Sequence, residues 1–194
     1  MGHRLALFVI TFGCLIALGT LATRVQQHAN REALPKIAPA PEFELIDSQN
    51  HSFQSSSLAG SVYVVHFFFT SCRGPCPITG ANVAALQQQF ASNPRVRFVS
   101  ISVDPSHDTT EVLQLYASQF GADPRHWTFL TGSRDDISTI AVSGFKVGVD
   151  TNASPIVHTT KLVLVDHNGI IRGYFDGTDD QSVETLKAAI SDLA

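Results

Sequence analysis

Val62-Tyr-Val-Val-His-Phe-Phe-Phe-Thr-Ser-Cys-Arg-Gly-Pro-Cys-Pro77 runs from a strongly apolar stretch into two cysteines four residues apart. Its first half reads as a buried strand. It is too short for a membrane span, and its Val, Tyr and Phe content favours a strand over a helix. Gly74 and Pro75 break the run, and from Cys76 the apolar residues Val83, Leu86 and Phe90 recur at helical spacing. Cys72 and Cys76 therefore stand where a central strand passes into a helix N-terminus. Unpaired N–H groups and the helix dipole at that point are expected to favour thiolate over thiol. A thiolate is both the nucleophile of disulfide exchange and a soft metal ligand, so this segment points to redox chemistry or soft-metal binding.

Outward from it, short strands are expected at Phe43-Glu-Leu45 and Ser52-Phe-Gln54, around the turn Asp47-Ser-Gln-Asn50. Val96 to Val103 is the next strand, closed by Asp104-Pro105. Asp108, three residues before Glu111, opens a helix in the manner of a capping box, with Gly121 as its stop. Trp127 to Leu130 is a short strand, and Ser133 with Asp136 opens a helix ending near Gly144. Lys161–Val165 and Ile170–Phe175 form a hairpin across Asp166-His-Asn-Gly169, and a last helix covers about Gln181 to Asp192. The order β-β-β-α-β-α-β-α-β-β-α predicts an α/β sandwich with a mixed central sheet and flanking helices, a thioredoxin-like layout.

The chain of 194 residues is 44% hydrophobic and 15% charged, with a net charge of −4. That suits one well-cored domain plus an appendage, and gives no reason to expect nucleic acid. The appendage is N-terminal: Leu5 to Ala22 carries no charge and as a helix would span ~27 Å, against a hydrocarbon core of roughly 30 Å. Thr20-Leu-Ala22 is a poor cleavage site, so residues 1–23 are expected to be an uncleaved, single-pass anchor in the inner (cytoplasmic) membrane, with the domain facing the periplasm. Cys14 lies inside the apolar run as an ordinary membrane residue. Residues 24–41, with Pro35, Pro39 and Pro41, read as a tether, and 42–194 as the folded domain.

One helical turn brings Cys72 and Cys76 within reach of a disulfide or of a common third atom. Two inert core cysteines would need no Gly-Pro break between them. The third candidate is His158, at the mouth of a strand expected beside the central one. Two thiolates and one imidazole suit copper, in trigonal Cu(I) or tetragonal Cu(II) form. On spacing alone, though, a lone histidine is more often an ordinary surface or core residue. His66 is expected as a satisfied core side chain, and His51, His107, His126 and His167 as solvated turn residues. Asp104 either borders the site or simply forms a turn.

Phe69-Thr-Ser-Cys-Arg-Gly-Pro-Cys-Pro77, Ser100-Ile-Ser-Val-Asp-Pro-Ser-His-Asp-Thr109, Leu130-Thr-Gly132 and Val157-His-Thr with Asp166-x-x-Gly169 resemble the Sco/SenC family in order, from about residue 40 onward. The resemblance implies a membrane-anchored, thioredoxin-like copper protein that assists assembly of the binuclear copper centre of cytochrome c oxidase. Its partner would be the copper-binding subunit of the oxidase or another copper-accepting protein. Carried over, the copper ligands fall on Cys72, Cys76 and His158. Val157 stands where the family usually has an acidic residue, and Arg73 makes the loop one residue longer than the Gly-Pro-Cys loop of thioredoxins. The resemblance implies a metallochaperone rather than an enzyme. The alternative is a thiol–disulfide oxidoreductase acting on the cysteines of a copper-accepting partner, with Cys72 and Cys76 as its redox pair. A peroxiredoxin-like peroxidase is weaker, because Thr70 precedes Cys72 by only two residues.

Overall fold

A computed structural model describes residues 34–150 and 159–194. The expected strand β4, Val62–Phe68, is buried at every position, which is why its sequence is an apolar run without alternation. It pairs in parallel with β5 (Val96–Ser102), and β5 pairs in parallel with β6 (Trp127–Thr131). Parallel neighbours need a crossover. Helices α1 (Pro75–Gln89) and α2 (Thr110–Gln119) supply the two.

On the other side of β4 runs β7 (Lys161–Val165), antiparallel, followed by β8 (Ile170–Asp176) and the C-terminal helix α4 (Asp180–Leu193). The Asp166–Gly169 turn closes this hairpin as its chemistry predicts. Asp166 Oδ1 accepts from the backbone N–H of Asn168 (2.9 Å) and of Ile170 (3.0 Å), and Gly169 takes a φ of 74°. β2 (Glu44–Asp47) and β3 (Ser52–Gln54) extend the sheet beyond β6. The order is β1-β8-β7-β4-β5-β6-β2-β3. β1 is Ala38–Pro39, antiparallel to β8, so the end of the proline-rich stretch read as a tether joins the sheet. Two residues carry no periodicity from which to read a strand.

Alternation along β4 divides the core. Tyr63, Val65 and Phe67 pack with Val99, Ile101, Leu130, Val163, Ile137 and Phe145. The opposite face holds Trp127, a nearly fully buried residue and the chain's one tryptophan. Its Nε1 donates to Ser100 Oγ (2.6 Å), which lies 3.1 Å from His66 Nδ1. His66 is thus the satisfied core residue expected. His126 corrects its expectation: it is buried, with Nδ1 3.2 Å from the Val96 carbonyl.

Two helix readings shift. The cap of α2 is Thr109, whose hydroxyl accepts from Val112 N–H, rather than Asp108, whose carboxylate is drawn inward. The helix opened by Ser133 is regular as α3 only over Arg134–Ser138, then widens into a π turn over Thr139–Gly144. Among the described residues no helix is long and apolar enough to cross a membrane; Leu5–Ala22 and His158 lie outside them.

Candidate functional site

β4 ends at Phe68, and the chain turns at once: Cys72 N–H donates to the Phe69 carbonyl (3.2 Å). Pro75 then takes the first position of α1, where its missing N–H is harmless. Cys76 follows one residue into the helix. The two cysteines are thiols rather than a disulfide, Cys72 half-buried and Cys76 buried with 3% of its surface exposed. Cys72 Sγ turns back towards the loop, 4.0 Å from where a Cβ on Gly74 would stand.

The expected thiolate-favouring effect does not hold at Cys76. Burial pushes its thiol up to about 12; a bond with the Phe69 backbone pulls the other way, and a hydrogen bond and charge interaction with the Cys72 thiol add to the rise. The helix end favours an anion, but the cost of desolvating one wins here. Tyr116, stacked on Phe68 with ring centroids 5.1 Å apart, is also raised, by burial first and then by the nearby Cys76 and Cys72.

Because β7 is antiparallel to β4, its start lies beside the end of β4, with Leu162 opposite His66. Thr159 and Thr160 therefore line one narrow crevice together with His66, Phe67, Pro75, Cys76 and Thr79. Asp176 fastens this segment, accepting from Thr160 Oγ1 (3.1 Å) and Lys161 Nζ (3.3 Å). Its carboxyl is held well below the usual range, first by hydrogen bonds from Thr178 and then by those from Lys161 and Thr160. Gly177 locks the other side, donating its N–H to the Thr160 carbonyl (2.8 Å) and accepting from Asn82 of α1 (2.9 Å).

Asp104 is a turn former: its carbonyl accepts from the N–H of His107 and of Asp108. The residue that reaches the cysteine loop is Asp108, fully buried. Oδ2 accepts from Thr70 N–H (3.0 Å) and Ser102 Oγ (2.6 Å), and Oδ1 from Thr70 Oγ1 (2.5 Å) and His107 Nδ1 (2.9 Å). His107 stays exposed, its imidazole pKa raised chiefly by the bond to Asp108. Sequence reasoning missed this cluster, although Ser102, His107 and Asp108 lie inside the Ser100–Thr109 stretch that carries the resemblance.

Among the described residues no three His, Cys, Asp or Glu side chains converge on one point; Cys72 and Cys76 meet as a pair. Cys72 stands in the turn ahead of α1 rather than on the helix as expected, and with Cys76 in the first turn of α1 it offers two sulfur donors that fit a soft metal as well as a disulfide.

A mixed sheet flanked by helices, with a Cys-x3-Cys pair where the central strand enters a helix, defines a thioredoxin-like protein. The comparisons narrow the class: a SCO1/SenC family model matches residues 31–194, and the chain belongs to that family. The SCO1 protein homolog of Bacillus subtilis (strain 168) is 33% identical over 159 residues, which cover 75% of this chain and 81% of that protein. BsSco, a member of the Sco family of cytochrome c oxidase assembly proteins in which a disulfide switch was identified, superposes with a TM-score of 0.74 at 26% identity, covering 84% of this chain and 98% of BsSco. Copper-bound ScoI of Arabidopsis thaliana shares the fold, with a TM-score of 0.67 at 23% identity over 80% of this chain and 99% of its own.

Proposed function

We propose that this chain is a membrane-anchored copper carrier that holds copper through Cys72, Cys76 and His158 and hands it on during assembly of the copper centre of cytochrome c oxidase. One observation carries the reading: two thiols meet at the head of β4, in a domain whose family includes oxidase assembly proteins. Copper is the cargo here, bound and released. Cys76 supplies a shielded sulfur and Cys72 a reachable one. His158 is assigned by resemblance, and support comes from its neighbour Thr159, which lines the crevice of Cys76. Val157 stands directly before His158 in the sequence, so that position supplies no carboxylate to orient the imidazole. The anchor is Leu5–Ala22, in the inner membrane, with the domain in the periplasm. Protease treatment of intact spheroplasts should therefore digest the domain, and the isolated protein should retain its first residues.

The test is copper analysis of the full chain purified in detergent. One ion per chain is expected, with stable binding lost in Cys72→Ser and in Cys76→Ser; full loading of either variant would sink the assignment. The second reading, a thiol–disulfide oxidoreductase working on a partner's cysteines, is favoured by the hydrogen bond between the two thiols. His158→Ala separates the two. Under copper delivery it should weaken copper binding at least ~10–100-fold, the usual cost of lesser changes around a metal ligand, and impair oxidase assembly, yet leave the reduction potential of the pair intact. Unchanged affinity with normal assembly would leave the oxidoreductase standing.

A further inference from the structure

The bonds of Asp108 reach well beyond its own turn. That turn closes through backbone alone, Asp108 N–H to the Asp104 carbonyl at 2.8 Å, and Thr109 caps the helix that follows. The carboxylate is needed for neither. Two of its four acceptances come instead from Thr70, 38 residues earlier in the chain. Thr70 sits inside the turn closed by Cys72 N–H on the Phe69 carbonyl, so fixing its backbone and hydroxyl fixes the approach of Cys72 to α1. Ser102, at the end of β5, and His107 complete the carboxylate's shell, leaving it buried with both oxygens doubly bonded.

We propose that Asp108 is the positioning residue of the cysteine loop: by holding Thr70 against the end of β5 it sets Cys72 beside Cys76, so that the pair grips copper, or closes to a disulfide as a disulfide oxidant takes up its two electrons and two protons and is reduced to two thiols, without a search. The proposal rests on the reading of this pair as the working site. Its effect is one of effective concentration, since a loop held in the bound geometry does not lose that freedom again on binding.

The experiment compares Asp108→Asn, Thr70→Val and Thr70→Ser in the full chain. Thr70→Val keeps the shape and the charge but removes the hydroxyl bond; Thr70→Ser restores it. The readouts are the alkylation rate of Cys72 by peptide mass mapping, the reduction potential of the pair against a thiol buffer, and copper affinity by competition. Asp108→Asn and Thr70→Val should each speed alkylation of Cys72 several-fold and raise the potential, because the disulfide is less favoured. Each should also cost roughly 10–100-fold in copper affinity. Thr70→Ser should stay near the parent. The double variant should be no worse than Asp108→Asn, as expected of residues acting through one bond set. Variants that melt earlier yet keep the parent alkylation rate and potential would reduce Asp108 to a structural role and overturn the proposal. Should Asp108→Asn fail to fold, Thr70→Val against Thr70→Ser decides alone. If the parent itself takes no copper, the carrier reading falls, while alkylation and potential still decide the role of Asp108.

Discussion

Cys72 and Cys76 look equivalent in the sequence and are not equivalent in the fold. Spacing alone puts both near a helix N-terminus, and the dipole argument follows from position. Burial does not, because the cover over Cys76 comes from β4, α1 and the Thr159–Thr160 segment together. The outcome is a pair with one reachable and one shielded sulfur. At neutral pH a limiting alkylating agent should therefore label Cys72 first, while Cys76, pushed up to about 12, reacts slowly even in Cys72→Ser. Mass mapping of the labelled peptides checks this, and faster labelling of Cys76 would contradict it. Asp108 was hidden for a similar reason. Three residues before Glu111 it matches a cap, and only the folded chain brings Thr70 close enough to claim the carboxylate.

Elements with local chemistry were legible, and those made by distant packing were not. Asp166-His-Asn-Gly169 announces a hairpin because its own side chain and glycine form the turn; the Cys72–Pro77 break announces α1 in the same way. The pairing of Ala38–Pro39 with β8 and the π turn after Ser138 have no local signal. Gly177 belongs to this second group. A Cβ there would stand 2.7 Å from Thr79 Cγ2, 3.0 Å from the Thr160 carbonyl oxygen and 3.2 Å from Leu162 Cγ. Gly177→Ala must therefore push the β8–α4 connection away from either α1 or β7. Overpacking of this kind costs ~1–3 kcal/mol, readable as a lower urea midpoint. The crevice beside Cys76 should open with it, and Cys76 should alkylate faster. A midpoint equal to the parent would show that the connection yields freely.

At the scale of the whole molecule, the sheet has a chemically busy end at Phe68 and a quieter one at Val62. Near the quiet end Tyr63 is buried and its phenol is pushed up to about 12, by burial first and by the charge of Asp166 second. Asp166 itself stays ionised: burial opposes this, and bonds from Ile170, Arg172 and Asn168 outweigh it. The sign for stability follows. An unfolded tyrosine releases its proton from about pH 10, the folded one only near 12, so the native state holds the extra proton and stability falls as pH climbs through that window. That rise from about 10 to about 12 corresponds to roughly 3 kcal/mol. Denaturant titrations should show that loss between about pH 10 and 12, with Tyr63→Phe flattening the part due to this phenol; an unchanged slope in the variant would refute the assignment. The same sheet carries a built-in lamp. The single indole, Trp127, is joined through Ser100 to His66, and His66 lines the crevice of Cys76. Its emission should respond when metal arrives or the sulfurs join, giving an optical record of the site's state in an unlabelled protein.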